Sequence, residues 1–270
     1  MKKALATIFK VLVFFIGWAL LAGVIDVPNN NPAVWRFFAE LIPLVVLVVF
    51  SVVFLIIEKG EVKLQIRENA GKGALIGLLT GLVWIGTSSV ILLASNQIII
   101  VEKNNVTFLW LWIVSAVINV IMQELLIRGY LYQLLKTKYN LPMAVIFTTV
   151  LFTALHGGAI EAGIIPTVNV ITMCLFTSAL YEAEKTILSP IMAHAAWNVI
   201  GAIIIGGVSL ADDYPSLYST VASENILLSG GDNKIEGSVV VTIINIVLML
   251  VFYFIYRKKR ARQNHDLPFA

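Results

Sequence analysis

Apolar residues in this chain gather into uninterrupted runs instead of alternating with polar ones. Eight of these runs are long enough to cross a bilayer as helices, near 8–25, 37–57, 73–95, 107–135, 141–157, 164–183, 188–208 and 238–256. Backbone polar groups cannot go unpaired in hydrocarbon, so a spanning chain is either helical or a closed barrel, and a barrel needs the alternation that is missing. The breaks carry the punctuation expected between helices: Pro28-Asn29-Asn30-Asn31-Pro32, the charged stretch 58–72, Asn104-Asn105, Asn140 to Pro142, Gly157-Gly158, Ser189-Pro190 and Gly230-Gly231. No internal repeat or low-complexity tract interrupts the pattern.

Composition sharpens this reading. Of 270 residues, 59% are hydrophobic and 13% charged, outside the balance of water-soluble domains. The expected fold class is therefore an all-α polytopic membrane protein of about eight transmembrane helices, forming a single transmembrane domain over 1–270, with the lipid bilayer as its main partner. A net charge of +3 gives no basic surface for nucleic acid. Cys174 is the only cysteine, which excludes an intrachain disulfide or a cysteine-based metal cluster, and its place in an apolar run reads as a small core residue. Lys2, Lys3 and Lys10 ahead of an apolar run imitate a cleavable leader, but the run is long enough to be retained as a first helix.

The charges are also sorted by side. With the N-terminus in the cytoplasm, alternation puts Lys59, Lys63, Arg67, Lys72, Lys136, Lys138, Lys185 and the cluster Arg257-Lys258-Lys259-Arg260-Ala261-Arg262 inside, leaving Arg36, Lys103 and Lys234 outside. The segment 209–237, with Asp212, Asp213, Glu224, Asp232 and Glu236, is an acidic outer loop in this arrangement. The expectation is a multi-pass cell-membrane protein with both termini cytoplasmic.

Ionisable groups inside a span cost roughly 2.5–3.5 kcal/mol each on insertion scales, so those present are candidates for function. Glu124 and Arg128, Phe152 and His156, and His194 and Asn198 are each four residues apart, which puts each pair on one helix face. Glu124 and His156 lie at equal distance from the connection at Asn140, and so at one height in a helical hairpin. His194 is closer to its own connection, so the hairpin must tilt or protrude to bring all three level. Glu182 and Glu184, beside Lys185, read as interfacial charges. A structural ion pair is the competing reading of Glu124 and Arg128 taken alone. A carboxylate and an imidazole converging in a low-dielectric cavity can deprotonate a water, while an amide and a second imidazole can hold a developing oxyanion.

In order along the chain, Gln123-Glu124-Leu125-Leu126-Ile127-Arg128-Gly129, Phe152 to His156 and His194 to Asn198 resemble the EExxxR, FxxxH and HxxxN motifs of the CAAX-protease and bacteriocin-processing (CPBP) family. The resemblance implies a CAAX-protease-like helical bundle with its catalytic core over 107–205 and an intramembrane polar site. It also implies a glutamate-dependent endopeptidase that hydrolyses a membrane-associated peptide or protein and needs no cofactor. Carried over by position, Glu124 and His156 activate water, His194 and Asn198 form the oxyanion site, and Gln123, Arg128 and Phe152 support them. The departure is Gln123, which stands where the family has its first glutamate and cannot take up a proton near neutral pH. Three explanations stay open: Glu124 serves as base after a modest rotation of its helix; Gln123 positions the water and His156 is the base; or the chain is a weakened or inactive member that binds a peptide as an immunity or scaffold protein. Two histidines and a glutamate are also zinc-ligand types, but HExxH spacing is missing and the resemblance points to metal-free chemistry. A transporter is a further class, and no inverted repeats or paired broken helices support it.

Overall fold

A computed structural model describes residues 2–27, 30–66 and 68–265, without the side chains at 2, 3, 264 and 265. Pro28, Asn29, Arg67 and the side chains of Lys2, Lys3 and His265 thus lie outside the described residues. The chain folds as α1 (Lys2–Gly23), α2 (Pro32–Ile57), α3 (Ala70–Ala94), β1 (Ile98–Lys103), α4 (Leu109–Arg128), α5 (Tyr130–Lys138) and α6 (Leu141–Leu155). There follow α7 (Gly157–Ala162), α8 (Ile164–Glu184), α9 (Leu188–Asn198), β2 (Tyr218–Ala222), α10 (Ile226–Ser229), α11 (Lys234–Gly237) and α12 (Val239–His265). The last turns of α9 continue as a π-helix over Val199–Ile205.

Each of the eight apolar runs becomes helix, but among the described residues only seven helices are long and apolar enough to span a membrane. The expected span at 141–157 is the exception. α6 has 15 residues, about 22 Å of rise against a hydrocarbon core of about 30 Å. It starts where the Asn140 side chain caps the Met143 N–H and stops before His156-Gly157-Gly158, where the chain turns into α7. The segment 209–237 is also more ordered than a loop. β1 pairs antiparallel with β2, matching Ile98 with Ala222 and Lys103 with Tyr218, a pairing that the helical reading of the sequence does not anticipate.

Two packing features position the site. Gly73, Gly77 and Gly81 form a stripe at four-residue spacing along α3, facing Thr186, Ser189 and Ala193. A Cβ at Gly77 would lie 2.1 Å from the Ser189 carbonyl oxygen, and one at Gly81 would lie 2.6 Å from that of Ala193. The missing side chains let α3 and α9 approach backbone to backbone, a contact that gains dispersion energy where lipid tails compete with any apolar surface. One turn further on, Trp84 stacks on Trp197 with ring centroids 4.0 Å apart. The second feature is Gly129, which separates α4 from α5 and admits no Cβ, because one would fall 2.1 Å from the Leu125 carbonyl oxygen.

At one end of the bundle, lysines neutralise buried acids. Lys10 meets Glu58 at 2.5 Å, Lys136 and Lys185 hold Glu182 at 2.5 and 2.8 Å, and Lys259 holds Glu184 at 2.9 Å. Glu182 and Glu184 are thus buried ion-pair partners, a tighter role than the interfacial one expected. At the other end, Arg36 pairs with Asp213 of the segment 209–237. The outward faces of α1, α2 and α12 leave residues such as Leu5, Ile56 and Phe254 exposed, as lipid-facing helices do.

Candidate active site

Three of the site's helices meet at one fully buried ion pair. Arg128 Nη1 donates to both oxygens of Glu124 at 2.9 Å, one helical turn away on α4. From α9, His194 Nδ1 lies 2.9 Å from Glu124 Oε1. The carboxylate can only accept, so this nitrogen carries a proton and Nε2 is the ring nitrogen left for the cavity. Arg128 Nη2 continues to α8, donating to the Cys174 carbonyl at 2.9 Å and to Thr177 Oγ1 at 2.5 Å, and lies 3.1 Å from Cys174 Sγ. Cys174 is therefore a core residue that also supports the arginine. Glu124 and Arg128 are both 0% exposed, so the rotation that would turn Glu124 towards substrate would have to break three hydrogen bonds.

Phe152 joins this cluster to His156. Its ring lies 4.2 Å from that of His156, 6.3 Å from that of His194, and under the Arg128 guanidinium at 5.3 Å. Where α6 ends, His156 Nδ1 donates to the Phe152 carbonyl at 2.8 Å, which fixes the ring and leaves Nε2 with the lone pair in the neutral form. The protein thus brings the polar faces of α4, α6 and α9 together.

His156, His194, Asn198 and Gln123 line a cavity of about 380 Å³, while Glu124 and Arg128 stand behind its wall. A neighbouring cavity of about 410 Å³ shares His156, Trp197 and Glu236 with the first. Gln123 is held by a chain of hydrogen bonds whose direction is fixed at its far end. Arg36 Nη1 donates to Glu40 Oε1 at 3.1 Å, and Asn119 Nδ2 donates to Glu40 Oε2 at 2.8 Å. Asn119 therefore turns its Oδ1 towards Gln123, which donates from Nε2 at 2.7 Å. Gln123 Oε1 is left as a buried acceptor without a protein partner. Among the described residues, no three His, Cys, Asp or Glu side chains converge as metal ligands.

Four participants are absent from the set read off the sequence. Glu40 meets the criterion that singles out Glu124, a carboxylate inside an apolar run, and is legible in the sequence. Arg36 and Asn119 matter only through their contacts with Glu40. Glu236 gave no signal, because one acid among five in a polar segment reads as solvated. The structure instead sets it half-buried in a cavity wall: its Oε2 accepts the Ser209 N–H at 2.8 Å, and Trp197 lies beside the same carboxyl group.

No curated protein and no solved structure gives a significant match to this chain. A family model does match, over a segment that holds all three polar pairs, and the match supports a CAAX-type intramembrane protease. Residues 105–200 of this membrane protein match the Rce1-like family model, described as type II CAAX prenyl endopeptidase Rce1-like.

Proposed function

We propose that the protein is an intramembrane endopeptidase that hydrolyses a peptide bond in a membrane-associated peptide or protein. The observation that carries this reading is the pair of imidazoles and the Asn198 amide facing one cavity of about 380 Å³, with Phe152, Arg128 and Glu124 fixing both rings from behind. In this reading one of the two acceptors on the cavity wall, His156 Nε2 or Gln123 Oε1, takes one O–H bond of the attacking water and orients it, leaving the second O–H for the base. Asn198 and a protonated His194, whose charge Glu124 balances, donate to the oxyanion, a contribution of roughly 2.7–4 kcal/mol per donor. Glu124 is a positioning residue that sets the tautomer and angle of His194. The lysine-rich end of the bundle faces the cytoplasm in this proposal, with both termini, and the outer segment lies opposite.

The test is cleavage of a fluorescence-quenched peptide, carrying a prenylated cysteine fourth from its C-terminus, by the full chain in liposomes. Release by the native protein and its loss in His194→Ala support the reading, and equal release from both sinks it. Gln123 favours a second reading, a family member that binds a peptide and cuts it slowly or not at all. Retention of labelled peptide by both proteins without product would mark that case.

A further inference from the structure

A carboxylate lies in the wall shared by the two cavities, beyond the family-matched segment, and its place there is built. Asn169 of α8 donates to the Glu236 carbonyl at 2.7 Å and to that of Ser238 at 2.9 Å. The neighbouring Ile235 N–H donates to Gly207 at 3.0 Å, and the Ile235 side chain is fully buried. Glu236 is thus pinned between α8 and the end of the π-helical stretch, its carboxyl group beside Trp197 and the Ser209 N–H.

We infer that Glu236 is a catalytic residue, the proton acceptor for the attacking water, supplying from the outer segment the carboxylate that position 123 lacks. This rests on the hydrolytic reading above. The other carboxylates are committed elsewhere. Glu124 is sealed behind His194 and Arg128. Glu40 is bound by Arg36 and Asn119, with the Tyr214 hydroxyl at 3.4 Å. Asp212, in the neighbouring cavity, is exposed. Glu236 borders both cavities with His156 and is contacted by neutral donors only.

Burial with no cation beside it pushes the Glu236 carboxyl up to about 7, where a base is matched to neutral conditions. The charged and titratable groups sharing its cavities are His156, His194, Arg36, Glu40, Tyr214 and Asp212. Lys234, on its own helix, turns away to the Gly206 carbonyl at 2.7 Å. In the step itself, water gives a proton to the Glu236 carboxylate as its oxygen bonds to the substrate carbonyl carbon, and the C=O π pair moves onto the oxyanion. Collapse re-forms the C=O bond and breaks C–N, and the proton passes from Glu236 to the leaving amine. No other reactant is consumed.

The experiment measures cleavage of the same prenylated quenched peptide by the full chain in liposomes, across pH. For the native protein kcat rises with pH through about 7 as Glu236 loses its proton. Glu236→Gln, which keeps an acceptor for Ser209, lowers kcat by about 100-fold or more, the usual reach of general-base catalysis. It leaves KM within a few-fold and removes the rising limb. If Glu236→Gln does not fold, Glu236→Asp replaces it: a carboxylate withdrawn by one methylene lowers kcat at least tenfold and keeps a limb. Native cleavage with either folded variant unchanged in kcat and pH profile overturns the assignment and leaves the protease reading standing. A native protein no more active than His194→Ala overturns both.

Discussion

Glu124 and Glu236 flank the same pair of histidines under opposite conditions. Glu124 sits within the long α4–α5 span, with no solvent exposure, and meets a guanidinium and an imidazole. Glu236 sits on the four-residue helix α11 and meets a backbone N–H and an indole. A charge inside hydrocarbon persists only where an opposite charge and hydrogen bonds compensate its lost hydration. That compensation makes Glu124 a fixed structural anion. A carboxylate held by neutral donors keeps its affinity for a proton. The acid that is most conspicuous in the sequence is thus the one least suited to proton transfer.

The largest effect should separate these two roles through stability. Glu124→Ala strands Arg128 as a buried cation and costs about 3–5 kcal/mol, whereas Glu236→Gln costs about 1 kcal/mol, the scale of one neutral hydrogen bond. Denaturant titration of the purified proteins in micelles reads both, and equal losses would erase the distinction. The double variant Glu124→Leu with Arg128→Met should regain most of the stability, since an apolar pair can replace a buried ion pair. Its His194 still lacks an acceptor, so cleavage stays low. Next comes His194→Ala, with kcat reduced about 10²–10³-fold and a smaller stability loss than Glu124→Ala. A larger loss would make His194 chiefly a structural partner.

These contrasts show what the chain discloses before it folds. Spans, and the pairing of polar residues on helix faces, are local properties: a spacing of four puts Glu124 over Arg128 wherever that helix goes, so the inner half of the site is legible. The short α6 is less so, because the apolar run continues up to His156 and only the following glycines show that the helix ends. Glu236 owes its place to Asn169, Gly207 and Ser209, contacts made between distant segments. Nothing within a few residues of Glu236 distinguishes it from Asp232 or Glu224. The glycine stripe on α3 lies between these cases, with a visible spacing but a partner, α9, that only tertiary structure names.

Position 123 gives a smaller and more discriminating test. Glu40 can only accept, so Asn119 presents an acceptor to residue 123, and Gln123 supplies the donor. Gln123→Glu sets acceptor against acceptor there and adds a second anion near Glu40. The expected cost is about 1–3 kcal/mol, that of an unpaired buried polar group, with no gain in cleavage. Activity that rises in Gln123→Glu and survives a further Glu236→Gln would return the base to α4 and break the comparison.

The smallest effect concerns how His194 is brought to Glu124. Gly77→Ala places a methyl group 2.1 Å from the Ser189 carbonyl oxygen, so α9 must move away from α3, an overpacking cost of about 1–3 kcal/mol. Gly86, on the same helix, has nothing within 4 Å of a Cβ, and Gly86→Ala should stabilise by about 0.4–1 kcal/mol through the unfolded chain. The contrast controls for helix propensity, since the two substitutions differ only in what they meet. The shift of α9 acts directly on the Glu124–His194 bond and reaches Glu236 only through the Trp197 side chain, while Asn169 of α8 keeps its hydrogen bonds to the Glu236 and Ser238 carbonyls. Gly77→Ala should therefore lower kcat severalfold while leaving the rising limb of the pH profile close to where it was. A limb that moves with Gly77→Ala would mean that both carboxylates answer to the same helix contact, and that they are one coupled unit.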